Sequence, residues 1–222
     1  MLDDVSVYKT RRRFGVALAE QWRQAGAPLP DTVIPVPDSS REAALAMAEG
    51  LELSYREGLV KNRYIGRTFI MPSQGARQNS VRRKLNPIRL EFEGKDVLLV
   101  DDSIVRGTTS KQIVHLARAA GARQVCFAST SPPLVHPCVY GIDMSTRREF
   151  IARDHDEEEI ARLIGADAVV YQALDDLLGA VRQDRPEIER MCHACFSGSY
   201  PTGDITPELL LQIEAERTQA GH

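Results

Sequence analysis

The sequence predicts an α/β fold in which helices cover both faces of a parallel sheet. Segments with strand character alternate along the chain with segments of helical periodicity. The strand segments KDVLLVDD (95–102) and ARQVCFAST (122–130) are apolar through most of their length, which is typical of strands buried on both faces. The 222 residues are 43% hydrophobic and 27% charged, so the chain can form one domain with a sizeable core and an appendage.

Periodicity and stop signals define the elements in chain order. Residues 6–25 repeat apolar side chains at helical spacing, and Gly26 ends that helix. DTVIPVPDSS (31–40) is a β-rich run that closes in a polar loop, and REAALAMAEG (41–50) is a helix. The later predictions are a weak strand at 53–59, an irregular segment at 63–90, a strand at 95–102, a helix at 108–121, a strand at 122–130, a proline-rich irregular segment at 131–138, a helix at 156–164, a strand at 167–171 and a helix at 173–183.

Residues 1–185 are therefore expected to form one domain. Residues 186–222 are expected to form a C-terminal tail that contains a C-x-x-C pair and a short helix at 206–217.

Composition excludes several classes of partner. The formal charge of −3 and the pI near 6.0 argue against a general binder of nucleic acid or of anionic membranes. No apolar stretch is long enough to span a bilayer, and the N-terminal MLDDVSVYKTRRRFG has no apolar signal core. The four cysteines are then expected to be reduced thiols or metal ligands. We expect a cytoplasmic protein with no nucleic-acid or membrane partner.

The segment VLLVDDSIVRGTTS (97–110) indicates a phosphate site. Asp101 and Asp102 follow a buried strand, at the edge where open α/β sheets bind ligands. Gly107 permits close backbone approach, and the hydroxyls and N–H groups at the following helix start form an anion cradle. A phosphate fits the helix start, and the carboxylates fit ribose hydroxyls or a hydrated Mg²⁺ ion. The alternative is a helix-capping aspartate beside a surface carboxylate.

This segment resembles the phosphoribosylpyrophosphate-binding motif of type I phosphoribosyltransferases, which implies that fold. The resemblance implies that Asp101 and Asp102 engage the ribose hydroxyls and magnesium. The residues implied to hold the 5-phosphate are Arg106, Gly107, Thr108, Thr109 and Ser110, and Ser103 is a further substrate-binding candidate.

Two further segments are similar to those of glutamine phosphoribosylpyrophosphate amidotransferases. VIPVPDSSREAALAMA (33–48) resembles the diphosphate-side loop, which implies that Ser39, next to Asp38, contributes to the magnesium site. NRYIGRTFIMPSQGARQNSVRRKLNP (62–87) resembles the flexible catalytic loop, with Arg67, Arg83 and Lys84 as its catalytic candidates. From Lys61 to Arg89 the chain has eight Lys or Arg and no Asp or Glu, which also suits a solvated basic loop or a nucleic-acid patch.

The cysteine-containing segments SPPLVHPCVYGIDM (131–144) and CHACFSGSYPTG (192–203) resemble the iron–sulfur, Bacillus-like branch of that family. The C-x-x-C spacing alone suits zinc, a redox pair, an iron–sulfur cluster or two unligated thiols. The resemblance assigns Cys138, Cys192 and Cys195 to a four-iron, four-sulfur cluster. It places the fourth ligand just before residue 1, and mid-strand Cys126 is expected to be a buried hydrophobe. We expect the isolated chain to be free of the cluster or partially loaded.

The resemblance implies displacement of diphosphate from phosphoribosylpyrophosphate by ammonia, the first step of purine synthesis. It also implies purine nucleotides as feedback inhibitors and a homo-oligomer in the full-length enzyme. Residue 1 matches the join to a glutaminase domain, so we expect use of free ammonia rather than glutamine. Tyr8 matches a segment near the route of ammonia or, alternatively, packs under the first helix. The rival functions are a phosphoribosylpyrophosphate-sensing module and a salvage base phosphoribosyltransferase.

Overall fold

The computed structural model describes residues 1, 3–62, 85–142 and 147–220, without the side chains of residues 148 and 217–220. Its helices are α1 (Val7–Gln24), α2 (Arg41–Leu51), α3 (Thr108–Ala119), α4 (Glu157–Ile164), α5 (Leu174–Arg182), α6 (Ala194–Ser197) and α7 (Pro207–Ala220). Its strands are β1 (Thr32–Pro35), β2 (Ser54–Tyr55), β3 (Leu59–Lys61), β4 (Leu85–Pro87), β5 (Asp96–Asp101), β6 (Gln124–Ser129) and β7 (Ala168–Tyr171). Short 3₁₀ turns cover Arg89–Glu91, Arg147–Glu149 and Ile151–Arg153.

The main sheet confirms the predicted α/β class. Five strands lie in the order β2-β1-β5-β6-β7, and every neighbouring pair is parallel. All four residues of β1 and all but the first residue of β5 and β6 are buried, because helices cover both faces. The apolar runs that predicted these strands therefore lie at the centre of the sheet.

Two apolar layers sandwich the sheet. On one face, Trp22 of α1 and Met47 of α2 pack against sheet residues such as Leu98. On the other, Ile113 of α3 and Ile160 of α4 pack against side chains such as Phe127. Consecutive residues of a strand point to opposite faces, which explains why Leu98 and Leu99 belong to different layers.

A two-stranded antiparallel ribbon lies outside the main sheet. β3 pairs with β4 through Leu59↔Pro87 and Lys61↔Leu85. The single weak strand predicted at 53–59 is therefore wrong: this region forms β2 and β3, separated by a short connection. Regular structure also resumes at residue 85, so the irregular segment predicted at 63–90 ends earlier than expected. Residues 63–84 lie outside the described residues.

The C-terminal tail packs against the proline-rich segment that follows β6. Backbone N–H groups of Val135 and His136 both donate to the carbonyl oxygen of Cys195, at 3.1 and 3.0 Å. The Tyr200 hydroxyl donates a 2.7 Å hydrogen bond to the carbonyl oxygen of Pro137. These contacts place the C-x-x-C pair beside Cys138. No helix in the described ranges is long and apolar enough to cross a membrane.

Candidate active site

Two loops meet at the carboxyl edge of the main sheet. β1 pairs with β5 in register, with Pro35 opposite Val100, so the loops that follow these strands emerge side by side. The Ser39 hydroxyl in the first loop donates a 2.7 Å hydrogen bond to Oδ2 of Asp102 in the second. The two loops singled out by sequence therefore form one site.

The paired aspartates occupy different environments. Asp101 is 8% exposed, and its Oδ1 accepts a 2.9 Å hydrogen bond from the backbone N–H of Asp102. Burial, followed by the neighbouring charge of Asp102, raises the pKa of Asp101 to about 8. Asp102 is exposed, and the Ser103 hydroxyl donates to its Oδ1 at 3.2 Å. A cation placed between these carboxylates would offset their repulsion.

The start of α3 lies where the sequence predicts a phosphate cradle. Its N-cap is Gly107, with φ of 72° and no side-chain hydrogen bond, so neither aspartate caps this helix. Thr108 and Thr109 are exposed at the first turn, whereas Ser110 is 2% exposed. Unpaired N–H groups and the helix dipole favour an anion here.

Arg106 is held by a residue that the sequence did not single out. Its Nη2 donates a 3.0 Å hydrogen bond to Oε2 of Glu149, and its Nε lies 3.0 Å from Oε1 of the same carboxylate. Glu149 lies in the 3₁₀ turn Arg147–Glu149, 43 residues further along the chain. No local motif links the two residues, so only the folded chain identifies the pair.

Asp38 is surrounded by basic groups. Its Oδ2 lies 2.9 Å from Nζ of Lys61, and its Oδ1 lies 3.3 Å from Nη1 of Arg41. The Pro37–Asp38 peptide bond is cis. Lys61 ends β3 and opens the basic run, so the ribbon brings the start of that run to the site.

The catalytic candidates Arg67, Arg83 and Lys84 lie outside the described residues. Tyr8 is 56% exposed on α1, so the alternative in which it packs under that helix is wrong.

The residues present fit a magnesium ion held jointly with a substrate. Asp101 and Asp102 offer carboxylate oxygens, and the Ser39 hydroxyl lies beside them. Magnesium is commonly bound by one or two carboxylates together with waters and substrate oxygens. In the described part of the chain, no three or more His, Cys, Asp or Glu side chains form a group that could hold a metal ion by itself. A magnesium ion here would thus need ligands from substrate or water.

Cys138 lies in the same region of the fold as the C-x-x-C pair of the tail. Burial, then the charges of Cys138 and Cys192, raise the pKa of the Cys195 thiol. Cys126 lies apart in β6, where burial raises its pKa to about 12, and it is a core residue as predicted. Among the described residues the thiols of Cys138, Cys192 and Cys195 do not form a group that could hold a metal ion, and a cubane cluster with four cysteine ligands also requires a fourth thiol. They do not by themselves complete such a site.

Comparison with known proteins identifies the family. The model of the phosphoribosyl transferase domain matches residues 16–131, more than half of the chain. The chain belongs to the phosphoribosyl transferase domain family. The matched range contains both site loops and strands β1 to β6.

Relatives of this phosphoribosyl transferase chain extend the similarity over nearly its whole length. It is 54% identical to the amidophosphoribosyltransferase of Pasteurella multocida over 220 residues, 97% of this chain and 43% of that protein. It is 50% identical to that of Escherichia coli K12 over 205 residues, 92% of this chain and 41% of that protein. The chain therefore spans less than half the length of these curated relatives.

A solved structure supports the same relationship. The glutamine phosphoribosylpyrophosphate amidotransferase from B. subtilis, complexed with ADP and GMP, superimposes with a TM-score of 0.76 at 44% identity. The similarity covers 95% of this chain and 46% of that one. The type I phosphoribosyltransferase fold expected from the sequence is confirmed.

Proposed function

We propose that this chain transfers the phosphoribosyl group of phosphoribosylpyrophosphate to ammonia, yielding 5-phosphoribosylamine and diphosphate. It would be the phosphoribosyl-transferring part of an amidophosphoribosyltransferase, acting at the first step of purine synthesis. The observation that carries the proposal is the Ser39–Asp102 hydrogen bond of 2.7 Å, because it joins a magnesium-suited loop to a phosphate-suited loop. The amidophosphoribosyltransferase names of the curated relatives support this reaction over other phosphoribosyl transfers.

The site suggests how the substrate would lie. The 5-phosphate would occupy the start of α3, where Gly107 and the two exposed threonines leave the helix N-terminus accessible. The ribose hydroxyls would face Asp101 and Asp102. The diphosphate would lie toward the loop of Asp38 and Ser39, where Arg41 and Lys61 supply positive charge.

The chemistry requires positioning more than a protein nucleophile. The bond from C1 to the diphosphate oxygen breaks, a C1–N bond to ammonia forms, and the nitrogen then gives up a proton. Ammonia is already a competent nucleophile, so orientation of the sugar supplies much of the rate enhancement. Magnesium, when bound, would supply charge that stabilises the departing diphosphate.

The basic segment is proposed to complete the site during turnover. Arg67, Arg83 and Lys84 would stabilise negative charge on the diphosphate, which a water-excluding site makes more effective. The position of the basic segment in the chain supports this role, because the segment connects β3 to β4. Lys61 at the end of β3 contacts Asp38.

An iron–sulfur cluster is a separate proposal. The similarity to the Bacillus-like branch supports Cys138, Cys192 and Cys195 as ligands, but these three thiols are too few for a four-cysteine cluster. We expect the isolated chain to carry less than a full iron complement. Iron and sulfide analysis of anaerobically prepared protein tests this, and four irons per chain would contradict it.

The proposals on regulation rest on a relative, and those on assembly rest on the family resemblance. The B. subtilis amidotransferase structure is described as complexed with ADP and GMP, which supports purine nucleotides as feedback inhibitors of this chain. We further propose a cytoplasmic homo-oligomer for the whole enzyme, as the family resemblance implies.

A diphosphate-release assay tests the proposed function. Purified protein receives phosphoribosylpyrophosphate and Mg²⁺, with ammonium, glutamine or a purine base as the acceptor. We expect release that depends on ammonium and on Mg²⁺, and the glutamine arm reports whether the chain uses amide nitrogen. Release with a base but not with ammonium would assign a salvage activity. Binding of phosphoribosylpyrophosphate without release in any arm would instead indicate a sensing module.

A further inference from the structure

One short segment contacts three consecutive residues of the proposed phosphate loop. The backbone N–H of Ile151 donates a 2.9 Å hydrogen bond to the carbonyl oxygen of Val105. Glu149 pairs with the guanidinium of Arg106. A Cβ added to Gly107 would lie 2.6 Å from Cδ1 of Ile151, so that side chain packs directly on the glycine. The loop is thus supported along its backbone, its side chain and its glycine by Glu149–Ile151.

The ion pair fixes the direction of the Arg106 side chain. Nη2 of the guanidinium donates a 3.0 Å hydrogen bond to Oε2 of Glu149, and Nε lies 3.0 Å from Oε1 as an ion-pair contact without a hydrogen bond, so the pair restricts where the guanidinium can lie. The side chains are 35% and 40% exposed, so the pair is partly accessible to solvent. With Glu149 facing it, Arg106 offers little net charge to a phosphate.

We propose that Glu149 is a positioning residue that acts through Arg106 to hold the phosphate loop in its binding geometry. This inference rests on the proposed function, because it deepens the role of the same loop. The 5-phosphate is then held by backbone N–H groups and hydroxyls at the start of α3, and Arg106 supports the loop rather than binding the phosphate. This assignment differs from the role that the sequence resemblance implies for Arg106.

The pairing accounts for how the loop keeps its shape. Gly107 of this loop has a positive φ of 72°, and no side chain caps the helix that follows. Interactions within the loop therefore restrict its backbone only weakly. The ion pair and the Ile151–Val105 hydrogen bond connect the loop to a separate turn. Small displacements of groups that position a substrate cause large losses of activity. Removing Glu149 is therefore expected to weaken phosphate binding even though Glu149 does not touch the phosphate.

The test measures binding by calorimetry for Glu149→Ala and Glu149→Gln, with ribose 5-phosphate and diphosphate as separate probes in the presence of Mg²⁺. For Glu149→Ala we expect the Kd of ribose 5-phosphate to rise about tenfold, while that of diphosphate changes little. Glu149→Gln keeps an oxygen acceptor for Arg106 and is expected to give an intermediate Kd. In steady-state assays, KM for phosphoribosylpyrophosphate should rise more than kcat falls.

Two controls separate positioning from general damage. Glu49→Ala breaks a 2.7 Å ion pair between Glu49 of α2 and Arg12 of α1. This variant should leave both Kd values unchanged. Glu149→Ala introduced into an Arg106→Gln background should cause no further loss, because the two residues act as one unit. Thermal melts show whether Glu149→Ala is folded. If that variant is unfolded, the Kd values of Glu149→Gln and the unmodified chain are compared instead.

Several outcomes would overturn the inference. Unchanged ribose 5-phosphate binding in both Glu149 variants would show that the pair does not position the loop. Tighter binding in Glu149→Ala would show that Glu149 competes with phosphate for Arg106. Equal losses for ribose 5-phosphate and diphosphate would indicate nonspecific damage. The proposed function fails separately: if the unmodified chain binds ribose 5-phosphate but releases no diphosphate with ammonium, the reaction is wrong while the binding comparison still decides the role of Glu149.

Discussion

The hydroxyl of Ser39 donates a 2.7 Å hydrogen bond to Oδ2 of Asp102, although 63 residues separate them in the chain. The contact exists because β1 and β5 are parallel neighbours, so the loops that follow them emerge at the same edge. It turns two polar loops into a single site.

The first prediction concerns the exposed carboxylate of this pair. Asp102→Asn removes a charge that would face the ribose hydroxyls and magnesium, so kcat/KM for phosphoribosylpyrophosphate should fall on the order of 100-fold. Steady-state diphosphate release measures the change. Asp204→Asn, the same substitution at an exposed tail position, should leave the rate unchanged. Similar kinetics for Asp102→Asn and the unmodified chain would remove Asp102 from the site.

A second prediction compares two glycines with the same positive φ. Gly107 and Gly94 both have φ of 72°, but a Cβ at Gly94 would meet nothing within 4 Å, whereas one at Gly107 would force Ile151 to move. The positive φ alone should cost each alanine variant about 1 kcal/mol of unfolding free energy. Only Gly107→Ala should also weaken binding of ribose 5-phosphate.

Urea denaturation and calorimetry test the glycine pair together. Equal ribose 5-phosphate affinity in the two variants would contradict the role of Gly107 in the phosphate loop.

A third prediction concerns an ion pair that joins α1 to the segment after α5. Nη2 of Arg13 lies 2.5 Å from Oδ1 of Asp184, and Nη1 donates to the carbonyl oxygen of Ala180 at 3.0 Å. The hydrogen bond from Arg13 lowers the pKa of Asp184 in the folded chain. The ionised Asp184 carboxylate therefore contributes its full stabilisation above the ordinary aspartate pKa of about 3.9. This stabilisation is lost as the pH falls through the lower pKa that Asp184 has in the folded chain.

Thermal melts of Asp184→Asn across an acid pH series check this linkage. The variant should melt below the unmodified chain at neutral pH, and the difference should shrink as the pH falls below the ordinary aspartate value. A difference in melting temperature that stays constant over the whole series would show that the charge of Asp184 does not contribute.

A fourth prediction ranks the reactivity of the thiols. Cys192 is exposed, whereas Cys126 is 1% exposed and its pKa is raised to about 12 by burial. Because the thiolate is the reactive form, iodoacetamide should label Cys192 early and Cys126 only after unfolding. Peptide mass spectrometry follows each site. Labelling of Cys126 in the folded chain at the rate of Cys192 would contradict its placement in the core.

Elements with a strong local signal were predictable from the sequence. The apolar run that ends at Asp101 predicted β5, and the polar loop and helix that follow it were predicted within a few residues. The ribbon was missed, because β3 and β4 are short and each depends on a partner distant in the chain. Glu149 was missed for the same reason: its significance comes from contact with Arg106, which no sequence spacing encodes.

The most direct test of the central claim follows the reaction by phosphorus NMR at increasing ammonium concentration. We predict that the diphosphate resonances of phosphoribosylpyrophosphate are replaced by that of free diphosphate, while a sugar 5-phosphate resonance remains. The rate should rise with ammonia concentration and should require Mg²⁺. Diphosphate release at a rate independent of ammonia would show hydrolysis rather than transfer and would contradict the proposed function.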